Sequence, residues 1–221
     1  MKLHEYSNYD EYIKIQKSHV TNNQRIIKQK RYDADSGEKL GWAKEDHLID
    51  IYNKFLILKP NNKAQIICHG VRNGYESKFF MDKFGLNNVY STDLFDVFKF
   101  DKTNFRMQDF DTIDDEWENK FDFLYSNVID HSRHPIHTLS VWANQINNNG
   151  ILCVVFSCGI QVTDCDCFAL DMTNYKIEIN NIIKNLPLKL LSISKMDRGL
   201  KNRDKSGTIN VFFKKCNNNN F

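Results

Sequence analysis

At 221 residues and 26.1 kDa the chain is long enough for one α/β domain with a sizeable core and too short for two. A hydrophobic share of 41% beside 26% charged residues is that of a globular protein, which excludes a disordered or fibrous chain. Lys and Arg number 30 against 28 Asp and Glu, interleaved along most of the chain, so the basic face that would hold a nucleic acid is not expected.

The opening MKLHEYSNYDEYIK carries no apolar leader, and no window approaches the roughly 18 apolar residues of a membrane span. The reading is a cytoplasmic protein with no membrane segment. Its six cysteines (Cys68, Cys153, Cys158, Cys165, Cys167 and Cys216) are then expected as reduced thiols.

In chain order, residues 9–31 place Tyr9, Tyr12, Ile13, Ile15, Val20, Ile26 and Ile27 among charged neighbours, which suggests one or two irregular amphipathic helices. After a polar turn at Asp33–Gly37, Leu48, Ile51, Tyr52, Phe55 and Leu56 recur at helical spacing until Pro60 ends the pattern. From residue 64 the period changes to short apolar runs alternating with amphipathic stretches, the pattern of βα units. The runs are AQIIC (64–68), NVYST (88–92), FDFLYS (121–126), ILCVVFS (151–157), LKLLSIS (188–194) and TINVFF (208–213), with FRMQ (105–108) a weaker candidate. Helices are read at Tyr75–Phe84, Ile136–Ile146 and Asn174–Leu186, the middle one opened by Pro135.

Near-continuous apolar runs imply strands buried on both faces. The expected architecture is therefore α/β: a doubly wound, mostly parallel seven-stranded sheet with helices on both faces. The last two strands, with no helix between them, would form an antiparallel hairpin across the loop holding Gly199 and Gly207. One domain spans 1–221, with residues 1–62 as a helical N-terminal cap, 63–215 as the α/β core and 216–221 as a frayed, Asn-rich tail. The cap would cover one end of the sheet, or else a partner subunit.

Four stretches carry candidate chemistry. Cys68-His69-Gly70-Val71-Arg72-Asn73-Gly74 lies between a strand and a helix, where glycines let backbone approach a ligand and the helix N-terminus offers unpaired N–H groups. Asp93 ends the second core strand about twenty residues beyond Gly74, the place from which an acid accepts ribose hydroxyls in doubly wound folds. Gln108, Asp109 and Phe110 follow the weak third strand, where a polar group and an aromatic suit an adenine; a surface loop with a core Phe is the alternative. Ser126 and Asn127, continuing to Asp130 and His131, close the fourth strand at the end where ligands bind in this architecture.

These four stretches, over roughly residues 62–157, resemble the class I S-adenosylmethionine-dependent methyltransferases. Their first motif, approximately Asp-x-Gly-x-Gly-x-Gly, is similar to Cys68–Gly74 with the outer glycines kept, the leading acid replaced by Cys68 and the middle glycine by Arg72. FDFLYSNVIDHSRHPIHTLSVWANQINNNGIL is similar to the fourth and fifth motifs. The resemblance implies a Rossmann-like fold with an antiparallel last strand and S-adenosylmethionine as cofactor. His69, Gly70, Arg72 and Gly74 would form its loop, Asp93 would bind its ribose, Gln108, Asp109 and Phe110 would surround its adenine, and Ser126 and Asn127 would line the sulfonium end. His131, oriented by Asp130, is the candidate base for a small-molecule or sugar-like acceptor.

Other classes are weaker fits. Gly70–Gly74 is not the Gly-x-Gly-x-x-Gly of a nucleotide-dependent oxidoreductase, and no Tyr-x-x-x-Lys follows usefully. The changes at Cys68 and Arg72 would also suit a non-enzymatic binding protein with a degenerate site. A zinc site can be assembled on paper from Cys158, Cys165, Cys167, His131, His134 and His137. Cys-x-Cys is shorter than structural zinc spacing, so no metal is expected, and Asp164–Phe168 is placed instead beside the acceptor.

Overall fold

Strands that are apolar along their whole length pair side by side and leave both faces to be covered by helices. A computed structural model of the chain, describing residues 1–32, 43, 45–96, 100–196 and 207–216, shows this arrangement. In chain order the elements are β1 (Lys2–Leu3), α1 (Tyr9–Tyr32), α2 (Glu45–Leu58), β2 (Ile66–His69), α3 (Tyr75–Phe84), β3 (Val89–Asp93) and β4 (Phe105–Met107). There follow β5 (Phe121–Ser126), α4 (Pro135–Gln145), β6 (Ile146–Cys158), β7 (Phe168–Ala169), α5 (Tyr175–Ile183), β8 (Leu188–Met196) and β9 (Gly207–Lys215). The polar turn Asp33–Gly37, the Gly199 end of the last loop and residues 217–221 of the tail lie outside the described residues.

The main sheet has seven strands in the order β4-β3-β2-β5-β6-β9-β8. The pairs from β4 to β6 are parallel, while β9 runs antiparallel to both β6 and β8. The doubly wound sheet with an antiparallel last strand is thus the fold. The switch point lies between β2 and its neighbours β3 and β5, so the loops after these three strands converge at one edge of the sheet.

Each face has its own core. On one, α2 and α3 cover β2, β3 and β5: the Phe55 ring stacks on Phe123 at 4.6 Å, and Phe80 meets Phe123 edge-on at 5.7 Å. Burying one such ring contributes about 2–3 kcal/mol. On the other, Trp142 of α4 and Ile179, Ile182 and Ile183 of α5 pack against Leu152, Val154 and Phe156.

Three details differ from the sequence reading. The stripe Leu48, Ile51 and Phe55 seats α2 flat on the sheet beside α3, so the cap over the strand ends is α1 alone. β6 begins at Ile146 rather than 151, and Lys215 Nζ closes the end of α4 where it turns into strand, donating to Ile146 O at 2.9 Å and to Asn119 Oδ1 at 2.8 Å. A second, two-stranded sheet joins β1 to β7, two segments too short to carry any period.

Candidate functional site

The turn after β2 is set by backbone conformation. Gly70, Arg72 and Gly74 all have positive φ, at 68, 49 and 86°. The N–H groups of Gly70 and Val71 both donate to Thr92 O, at 2.9 and 3.1 Å, binding the turn to the end of β3. Gly70 has a second reason to lack a side chain: a Cβ would lie 2.2 Å from Val128 Cγ2, in the loop after β5. The glycine turn and the β5 loop are therefore pressed together.

Asp93 is the hinge of this corner. Its Oδ2 accepts the Arg72 N–H at 2.6 Å and its Oδ1 accepts the Phe95 N–H at 3.0 Å. Burial still raises its pKa, because desolvation outweighs the two N–H bonds and the nearby Arg72 guanidinium. A carboxylate has about four lone-pair sites, so each oxygen keeps one for a hydroxyl. Arg72 itself is partly desolvated, which lowers its pKa, and it faces Asp93, Glu76 and Cys165.

After β4, Gln108 and Asp109 each bury a polar atom: among the described residues Gln108 Nε2 and Asp109 Oδ1 have no hydrogen-bond partner. Asp109 Oδ2 accepts the Tyr9 hydroxyl of α1 at 3.0 Å. Burial and then the neighbouring Asp111 push the Asp109 carboxyl up to about 6. The Phe110 ring is turned into the core, edge-on to Trp142 at 5.9 Å, with Phe110 O accepting the Trp142 Nε1–H at 2.8 Å. Here the core-Phe alternative describes its place.

At the end of β5, Ser126 Oγ donates to His69 O at 3.3 Å, and Asn127 Nδ2 donates to Glu76 Oε1 at 3.2 Å. Asp130 Oδ2 accepts from Ser157 Oγ at 2.8 Å; its Oδ1 is buried with no hydrogen bond, 4.0 Å from His131 Nε2. His131 Nδ1 donates to Cys165 O at 2.9 Å.

The His69 side chain lies apart from the site. Its ring stacks on Trp142 at 5.5 Å and 12°, with Nδ1 at 2.7 Å from Thr92 Oγ1 and Nε2 at 2.7 Å from Gln145 Oε1. Both nitrogens are engaged, and burial holds its pKa down to about 4. Its side chain is a neutral core group with nothing left for a ligand, a correction to its reading as a cofactor contact.

Sequence reasoning missed several residues that the fold delivers here. Glu76, whose pKa is raised by burial, stands behind Arg72 and Asn127, close to where the family motif has its leading acid. From α1 come Tyr9, Tyr12, Gln16 and His19: the Arg133 guanidinium lies over the Tyr9 and Tyr12 rings at 4.5 and 5.0 Å, and Gln16 Nε2 donates to Cys165 O at 3.0 Å. Nothing local in the sequence brings these groups together; only the docking of α1 over the strand ends does. The site is a corner lined by carboxylates and the half-buried Arg72, with a polar end at Gln108 and Asp109. Among the described residues no helix is long and apolar enough to cross a membrane.

No protein-family model matches the chain, and no curated protein matches it by sequence. Solved structures do. A Burkholderia thailandensis 1,6-didemethyltoxoflavin-N1-methyltransferase, crystallised with its substrate and S-adenosylhomocysteine, is similar with a TM-score of 0.57 and 10% identity over 76% of this chain and 82% of that one. The plantazolicin methyltransferase BpumL, in complex with the same product, gives 0.60 and 12% over 77% and 82%. The [4+2]-cyclase SpnF gives 0.59 and 9% over 81% and 85%. With the strand order above, these likenesses establish that the chain has the Rossmann-like fold of the class I S-adenosylmethionine-dependent methyltransferases.

Proposed function

We propose that the chain binds S-adenosylmethionine at the carboxyl ends of β2 to β5 and transfers its methyl group to a small-molecule acceptor. The observation that carries this reading is the pair of orphaned polar atoms, Gln108 Nε2 and Asp109 Oδ1. A buried donor and a buried acceptor on consecutive residues each cost about 1–3 kcal/mol while unpaired. A heterocycle with its own donor and acceptor, such as adenine, would satisfy both.

The other residues fit the same ligand. Gly70 and Gly74 supply the positive-φ turn, Asp93 keeps lone pairs for ribose hydroxyls, and Ser126 and Asn127 close the end of β5 beside it. Cys68 is a fully buried core thiol, so Arg72 and the Glu76 carboxylate are the charged groups left to hold the amino-acid end. When bound, the sulfonium supplies an activated methyl and a good leaving group. The protein's part is to align an acceptor with it and keep water away. α1 does the second by closing over the corner through Tyr9 and Gln16. His131, backed by Asp130, stands on the remaining side, and an acceptor's proton would be managed through it.

Calorimetry with S-adenosylmethionine and, in parallel, NAD tests the reading: micromolar binding of the first alone is expected, and binding of neither would overturn it. The likeness to a [4+2]-cyclase favours one second reading, in which the same site binds a ligand without transferring methyl. Release of S-adenosylhomocysteine from a pool of candidate acceptors separates the two.

A further inference from the structure

The loop between β6 and β7 folds back against the β5 loop and places three unlike ligand groups together. His131, Cys165 and Asp166 each offer one ligand atom, and these atoms lie within 4.8 Å of one another. Cys165 Sγ is 3.7 Å and Asp166 Oδ1 is 3.8 Å from His131 Nδ1. With zinc–nitrogen, zinc–oxygen and zinc–sulfur bonds of about 2.0–2.3 Å, the edges of a tetrahedral site measure roughly 3.3–3.6 Å. The two edges at Nδ1 need to close by only a few tenths of an ångström, with Nδ1 releasing Cys165 O, while Sγ and the Asp166 carboxylate, within 4.8 Å of each other, close by a turn of the partly exposed Asp166 side chain.

The surroundings are built as a metal site requires. Thr163 ties the loop into a tight turn: its Oγ1 accepts the N–H groups of Cys165 and Asp166 at 3.2 and 2.9 Å, and its own N–H donates to Asp166 O at 3.0 Å. Cys167 Sγ donates to Ser132 O at 3.1 Å, pinning the far side of the loop. The buried, orphaned Asp130 Oδ1 lies on the Nε2 side of His131. At 4.0 Å it makes no hydrogen bond as the ring stands; a carboxylate on that side would take Nε2–H once Nδ1 gives up its proton to a metal, the arrangement that orients ligating histidines.

We propose that His131 Nδ1, Cys165 Sγ and Asp166 bind a divalent transition metal ion of the zinc class, beside Arg72 and Asp93. A nitrogen, a sulfur and one carboxylate oxygen are the donor set of zinc rather than of magnesium or calcium. Three protein ligands leave a fourth position open, as in catalytic rather than structural zinc sites. The site stands on these residues alone and does not need the cofactor reading to hold; with the metal bound both ring nitrogens of His131 are taken, and it serves as a ligand instead of as the acceptor's base.

Titration of chelator-treated, reduced protein with Co²⁺ tests it directly. The expected result is a thiolate-to-cobalt absorption band with tetrahedral visible bands, saturating at one ion per chain, displaced by Zn²⁺ and altered by added imidazole as the open position fills. Cys165→Ser should abolish the thiolate band. Asp166→Asn, a change at a partly exposed side chain, should weaken binding at least about tenfold with the thermal unfolding curve kept, and Asp130→Asn about tenfold by loosening the ring. Cys158→Ala should change nothing. Absence of the band, or a band that survives Cys165→Ser and disappears in Cys158→Ala, would overturn the proposal, whatever the outcome of the S-adenosylmethionine calorimetry.

Discussion

The Tyr9 hydroxyl donates to Asp109 Oδ2 at 3.0 Å, joining the first helix to the loop after β4. The bond favours the charged form of Asp109, opposing the burial that raises its pKa. Tyr9→Phe should therefore cost about 1–2 kcal/mol at pH 8 and clearly less at pH 5, where the carboxyl is mostly protonated. Urea unfolding at the two pH values measures the difference. Equal losses at both would disconnect Tyr9 from the ionised acid.

Asp109 itself should trade stability against binding. Its folded pKa lies above that of the unfolded chain, so the native state binds the extra proton and loses stability as pH rises from about 4 through 6. Asp109→Asn removes that loss and keeps an acceptor for Tyr9. The expected variant is about 1–2 kcal/mol more stable than the parent at pH 8, no more stable near pH 4, and weaker in S-adenosylmethionine binding by calorimetry.

His69 carries the opposite sign. Its folded pKa of about 4 lies below the ordinary value of 6.5, so the unfolded chain takes up the proton first. The stability is fully present above pH 6.5 and is lost progressively as pH falls toward 4, by on the order of 3 kcal/mol. His69→Gln should be less stable at pH 7.5, yet flatter across this window. A pH series of unfolding midpoints in which parent and variant run parallel would remove His69 as the source.

Gly70→Ala should destabilise by about 3 kcal/mol, adding a clash with Val128 to the strain of an alanine at φ 68°. In the double change Gly70→Ala with Val128→Ala the clash is relieved and about 1–2 kcal/mol of backbone strain stays. A complete double-mutant cycle shows whether the two loops touch as described, since non-contacting sites would simply add.

Asp93→Asn tests the ribose position. The single remaining carbonyl oxygen can still take one backbone N–H, so most stability is kept, whereas S-adenosylmethionine affinity should fall about tenfold or more. Affinity unchanged in calorimetry would take Asp93 out of the site.

Much of the fold was legible because period survives in sequence. FDFLYS is a strand over its whole length, and Tyr75–Phe84 is a helix as read, since each carries an apolar pattern that no neighbour overrides. Of the candidate site, spacing singles out Gly70 and Asp93, which the structure joins through Thr92 and Arg72 at one strand-end corner, while Ser126 rests on the family resemblance. What escaped were contacts made by docking. Tyr9 reaches Asp109 across 100 residues and His131 reaches the Cys165 segment across 34; the sequence set Asp164–Phe168 beside the acceptor but could not show that Asp166 stands 3.8 Å from His131 Nδ1. His69 was misjudged because a glycine turn draws attention to every residue in it, while the burial of one ring against Trp142 is a property of the packed helix.

The order of strands in the sheet sets a timetable. β9 lies between β6 and β8, and β8, at the sheet's edge, has β9 as its sheet neighbour. During synthesis β8 leaves the ribosome before the strand that joins it to β6 exists, so its hydrogen-bonding edge waits for a strand that has yet to be made. Until then the Lys215 ammonium that closes α4 is missing as well. The loops after β2, β3, β4 and β5, which carry most of the proposed corner, precede all of this, so a nascent chain holds these segments before it can finish its sheet. Ligand present during translation would then meet its site on a chain not yet fully folded and act on folding itself.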